Sequence, residues 1–161
     1  MDNQEGALKK VFVRVLEDWA MMLVEDSESE TSVFSLDEPL YLSKVDLNGT
    51  FQGTVTIVAQ KGFMQVLAAN LLGSDPEDVM AEEEFRDAFK EMGNVLTGNF
   101  ITEAFGKEQT IDMLNPEVTR ISNSQLDQLN KSSKINYYMA DDKPVGVTLE
   151  TLETLETLES K

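Results

Sequence analysis

The chain has 161 residues, 41% of them hydrophobic, and a formal net charge of -17 from 13 Lys and Arg against 30 Asp and Glu, with no His and no Cys. That size suits one core and favours a single domain over residues 1–161, while the charge argues against a nucleic-acid partner or an anionic membrane surface, which both need clustered cations. Without His or Cys there is no imidazole base, imidazole metal site, phosphohistidine or thiol nucleophile. No run approaches the roughly eighteen apolar residues of a membrane span. MDNQEGALKK lacks the order of a signal peptide, so the expected location is cytoplasmic.

A first helix is expected from Gly6 to about Val24, where Leu8, Val11, Phe12, Val15, Leu16, Trp19, Met22 and Leu23 form a broad apolar face. Glu25 to Ser32, acidic and Ser-rich, reads as the loop that ends it. The period then changes to two. Tyr41, Ser43 and Val45 lead into Asp46-Leu-Asn48-Gly49, and Phe51 to Ala59 follows, which predicts two strands joined by an Asn-Gly turn with positive φ at both residues. A second helix begins at Gln60 or Lys61 and stops at Gly73. Beyond Gly106, short strands are expected at Gln109–Leu114, Pro116–Ser122, Lys134–Ala140 and Val145 to about Thr151. SNSQLDQLNKSS reads as a loop, and Asp141 to Pro144 as a turn. The period-three Thr-Leu-Glu repeat fits neither helix nor strand, so residues from about 153 to 161 are expected to fray.

Between these strands lies the longest helical pattern, Glu82 to Phe105. Phe85, Ala88, Phe89, Met92, Val95 and Leu96 recur at three- and four-residue spacing, and Glu82, Glu83 and Glu84 favour the positive end of the dipole. Asp87, Glu91, Asn94 and Gly98 fall within about 60° of one another, nearly opposite that stripe. Gly93 and Gly98 each cost a helix about 1 kcal/mol relative to alanine, which suggests close approach of another backbone. Asn99 falls nearer the apolar side and reads as structural.

Asp87-Ala-Phe-Lys-Glu91-Met-Gly-Asn94, continued by Val-Leu-Thr-Gly98, resembles the signature of the CheC/CheX/FliY family of chemotaxis phosphatases. Gly53-Thr-Val-Thr-Ile-Val and Leu71-Leu-Gly73 resemble the family too, and the single motif copy is most similar to a CheX-like domain. The resemblance implies an α/β (α+β) sandwich, with a mainly antiparallel sheet of about five or six strands packed with long helices. It implies a phosphatase of the aspartyl phosphate on a CheY-like receiver, with Asn94 orienting the attacking water and Glu91 accepting a hydrogen bond from the receiver's lysine. Asp87, Gly93 and Gly98 would then contact the partner. No cofactor of the chain's own is expected, because Mg²⁺ would come with the phosphorylated receiver. A homodimer through strand edges near the C-terminus follows by analogy.

Other patterns have plainer explanations. Asp46-Leu-Asn48-Gly49-Thr50 resembles the nucleophile loop of haloacid dehalogenase-like phosphatases, but Asn48 replaces the proton-donating acid and a hairpin accounts for every residue. The carboxylates at Asp75, Glu77, Asp78 and Glu82 to Glu84 lack calcium-loop spacing and read as a solvated surface. The alternative from another class is a non-catalytic receiver-binding or flagellar-switch adaptor on the same fold.

Overall fold

Leu8, Val11, Phe12, Val15 and Leu16 are fully buried, and they set the first helix against the sheet as their spacing predicts. In the computed structural model, which describes residues 2–27, 34–78 and 81–151, helix α1 runs Asp2–Arg14 and continues as a wider π turn, Val15–Trp19. The expectation of helix as far as Val24 is corrected. Met21 adopts φ 57°, the Met22 amide donates back to the Leu16 carbonyl at 2.9 Å, and Val24–Asp26 forms strand β1. Leu23 amide to Asp141 Oδ1, 2.8 Å, and Asp141 amide to Leu23 carbonyl, 2.9 Å, clamp the turn.

Strands β2 (Leu40–Gly49) and β3 (Gly53–Gln60) pair antiparallel, followed by α2 (Lys61–Leu72), α3 (Glu82–Phe105), β4 (Ile111–Ile121), α4 (Asn123–Ser132), β5 (Asn136–Ala140) and β6 (Lys143–Thr151). The single six-stranded sheet has the order β1-β5-β6-β3-β2-β4, with every neighbouring pair antiparallel, the α+β architecture expected. Alternation along β2 sorts the two faces: Tyr41 and Leu47 join the main core under α1, α2 and α3, while Leu40 and Leu42 join a smaller cluster with Phe34, Val58, Tyr137 and Leu126 of α4. Among the described residues no helix is long and apolar enough to cross a membrane.

Four other expectations change. The β2–β3 connection is longer than an Asn-Gly turn, because Asn48 and Gly49 stay in β2 and pair with Asp112 and Ile111 of β4. Gly49 is required instead by close approach, since a Cβ there would lie 2.2 Å from the Thr110 carbonyl oxygen. The tight turn with positive φ at both residues occurs at Asp141 (48°) and Asp142 (63°), between β5 and β6. The two strands expected around Pro116 are one, in which Asn115 (φ 52°) and Pro116 bulge opposite Val45. That edge position tolerates the missing proline N–H. The predicted loop after Ser122 is α4, closed by a capping box in which Ser122 and Gln125 exchange side-chain and backbone hydrogen bonds. Finally, β6 is interior and the long edge strand is β4. The expectations for residues 28–32 of the acidic loop and for the tail from residue 152 onward lie outside the described residues.

Candidate functional site on helix α3

A helix of 24 residues is about 36 Å long, and α3 is fixed along its whole length. Near its start, Arg86 donates from Nη2 to the Val118 carbonyl at 2.6 Å and from Nη1 to Glu82 Oε1 at 3.1 Å. Its guanidinium lies 5.6 Å from the ring centre of Tyr41, whose hydroxyl also donates to Glu82. The charge-assisted bond from Arg86, with the Tyr41 hydroxyl, holds the Glu82 carboxyl below its ordinary range. Burial, then the bond to Glu82, raises the Tyr41 phenol above its own. Midway, Ser43 Oγ donates to the Phe89 carbonyl at 3.2 Å. Near the end, Glu103 meets Arg14 Nη1 at 3.2 Å and Lys10 Nζ at 3.6 Å, and Phe51, Phe100 and Phe105 stack around one another.

Phe85, Phe89, Met92, Leu96 and Phe100 are buried beneath this helix, and the predicted ridge faces away from them. Asp87 and Glu91 are exposed, while Asn94 and Gly98 are half-buried. Successive offsets of four, three and four residues bring these positions onto one line. No hydrogen bond or ion pair joins the Asp87, Glu91 or Asn94 side chain to another described residue, whereas their neighbours Asn99 and Thr102 bond to carbonyls of their own helix. A carboxylate and a carboxamide one turn apart are thus presented outward, with acceptor and donor capacity unspent.

Gly93 departs from the expectation of a partner contact. It is buried, and a Cβ there would stand 2.5 Å from Ser43 Oγ and 3.4 Å from Val45 Cγ2. What it approaches are the Ser43 and Val45 side chains on β2 of its own chain. Gly98 has nothing within 4 Å of its virtual Cβ and lies in an open groove lined by Arg14, Asn94, Val95, Asn99, Thr102 and Glu103. Asn99, expected to be structural, is exposed on that groove. Arg14 was not legible as part of this site, because its position beside Glu103 depends on residues 89 apart in sequence.

The competing dehalogenase-like motif does not form a nucleophile loop. Asp46 Oδ1 accepts from the Thr54 hydroxyl at 2.9 Å across the β2–β3 pair, and Asn48 accepts from Gln52. Among the described residues, no group of three or more Asp and Glu is arranged to hold a metal.

The family profile described as Chemotaxis phosphatase CheX matches residues 41–140, which take in β2 from Tyr41 onward, β3, α2, the whole of α3 and β4. The chain belongs to the CheX family. Solved CheX structures share the fold. The CheX–CheY–BeF3–Mg²⁺ complex from Borrelia burgdorferi contains a chain of 24% identity that superposes with a TM-score of 0.61, covering 90% of this chain and 95% of that one. CheX from Vibrio vulnificus is 17% identical with a TM-score of 0.65, covering 90% and 93%. FliY of Thermotoga maritima, 15% identical, gives 0.59 over 96% and 88%. No curated protein sequence matches the chain significantly.

Proposed function

We propose that this CheX-family protein hydrolyses the aspartyl phosphate of a CheY-like response-regulator receiver in chemotaxis signalling. The observation that carries the reading is the ridge itself: Glu91 and Asn94, without internal partners, stand one turn apart on a helix anchored at its start, middle and end. An acyl phosphate hydrolyses by in-line attack of water, so a second protein can accelerate it by positioning alone. The Asn94 carboxamide accepts a hydrogen bond from that water through its oxygen and offers N–H donors to phosphoryl oxygens. Glu91 receives a charge-assisted hydrogen bond from a receiver lysine and fixes the helix over the acyl phosphate. Asp87, one turn earlier, docks at the rim, and Gly98 leaves room for the partner's backbone. Mg²⁺, held by the receiver, neutralises phosphoryl charge, and this chain contributes no ligand to it. Gly93 acts from inside, by letting α3 lie close on β2.

The complex that the Borrelia relative forms with CheY supports the choice of partner. The test is phosphate release from a phosphorylated, Mg²⁺-loaded CheY-like receiver. The wild-type protein should accelerate release, and Asn94→Ala should lose roughly 100-fold or more of that acceleration while still binding. Glu91→Ala should weaken both. Full activity in either variant would remove its assignment. The alternative is a docking module without turnover on the same fold; binding without acceleration by the wild-type protein would select it.

The same reading includes a homodimer in the cytoplasm. β4 supports the dimer, being a long strand at the sheet edge with Met113 and Leu114 both exposed.

A further inference from the structure

We infer that Arg14 is a further partner-binding residue of this site, contacting an oxyanion of the receiver from the wall of the groove that Asn94 also lines. The inference rests on the receiver-binding reading of the α3 ridge.

Arg14 is the last residue of α1 before the π turn, and its side chain enters the groove whose other lining residues all belong to α3. Gly98, in the same groove, presents no side chain and open space beyond its virtual Cβ. A group arriving over Asn94 therefore comes within the groove that Arg14 borders.

The charge balance makes that cation consequential. The ridge contributes the carboxylates of Asp87 and Glu91, and the whole chain carries -17. A phosphoryl group and the carboxylates around it meet like charge on such a surface, and a desolvated contact between like charges is costly. Lys90 is exposed on α3 but, at about 40° from Asn94 and about 140° from Val95, lies on the side of Asn94 away from the groove. Within the groove lining, Arg14 is the cation.

Its geometry leaves capacity for a second partner. Glu103 receives one hydrogen bond, from Nη1 at 3.2 Å, which orients a planar group with five N–H donors and leaves an edge open. The Arg14 side chain is 42% exposed. Were the pair only a staple between α1 and α3, it would contribute little, as exposed ion pairs do. Lys10 reaches the same carboxylate at 3.6 Å without lining the groove. Lys10 is thus the internal control for a staple.

The oxyanion is either the phosphoryl group or a receiver carboxylate beside it, and the two are separable. Binding of Arg14→Ala, Arg14→Lys and Lys10→Ala should be measured against the Mg²⁺-loaded receiver with and without beryllium fluoride, an acyl-phosphate mimic. Turnover should be measured on the phosphorylated receiver and thermal midpoints on each variant. Arg14→Ala should raise Kd and KM roughly tenfold with kcat nearly unchanged, as loss of a charge-assisted contact predicts. Arg14→Lys should recover part of the loss, and Lys10→Ala should match wild type. A loss confined to the beryllium fluoride state assigns the phosphoryl group, and an equal loss in both states assigns a carboxylate. If Arg14→Ala binds and turns over as Lys10→Ala does, the contact is overturned and the pair is a staple. Asn94→Ala in the same series keeps the two ideas apart: unchanged turnover there overturns the underlying reading, whereas lost turnover with an unaffected Arg14→Ala overturns the Arg14 contact alone.

Discussion

Two glycines of α3, five residues apart, have opposite reasons to be glycine. At Gly93 an added methyl meets Ser43 Oγ at 2.5 Å, a hydroxyl already committed to the Phe89 carbonyl. Gly93→Ala should therefore cost about 1 to 3 kcal/mol of stability, as overpacking in a closed core does. A thermal or denaturant melt should show the loss, and adding Ser43→Ala should recover part of it. At Gly98 the methyl meets nothing within 4 Å. There alanine should stabilise the helix by up to about 1 kcal/mol while weakening receiver binding, since the methyl would occupy the groove between Asn94 and Arg14. The helical period already puts Gly98 on the polar ridge and Gly93 about 60° from Leu96, but only the strand lying beneath α3 shows what Gly93 meets there.

At the scale of elements, the edge strand β4 carries the oligomerisation argument. Among the described residues its outer edge has no strand neighbour, and Met113 and Leu114 are 42% and 40% exposed. Met113→Lys combined with Leu114→Lys should shift the protein to monomer in sedimentation velocity without lowering its melting midpoint; an unchanged sedimentation coefficient would place any self-association elsewhere. The elements most legible in the sequence were those whose own side chains settle them. The α3 period, the Gly73 stop (φ 69°) and the alternation through β2 and β3 all stand. Helix α4 was missed because NSQLDQLNKS buries only Leu126 among its ten residues, and the Ser122–Gln125 capping box was the signal overlooked. Strand β1 was missed because three residues, Val24 to Asp26, become a strand only by pairing with Tyr138 to Ala140, more than a hundred positions later. The site divides in the same way. Asp87, Glu91 and Asn94 share one helix and were visible in its spacing, whereas Arg14 comes to the groove beside Asn94 only through tertiary packing.

For the whole molecule, the buried phenols predict how stability depends on pH. Burial raises the Tyr138 phenol, with Asp26 adding to it, and burial followed by the Glu82 bond raises Tyr41. Each folded-state value is above the unfolded one, so their contribution is complete below about pH 10 and is lost as pH climbs through the folded values. Glu82 has the opposite sign, lowered chiefly by Arg86, so its contribution is present above the ordinary carboxylate range and is lost on acidification. Melts in steps from about pH 8 to pH 11 should show falling stability, with Tyr41→Phe flattening part of the fall; an equally steep fall in that variant would remove Tyr41 from the account. The strand order has a consequence for synthesis. The last strand described, β6, lies between β5 and β3, and without it the sheet would be two separate ribbons, β1-β5 and β3-β2-β4. A nascent chain emerging from the ribosome can build the hairpin of β2 and β3, and can lay α3 and β4 against it, while residues 143–151 are still untranslated. The first strand must meanwhile wait for partners near the other end of the chain, so sheet closure is postponed until translation of these residues is complete.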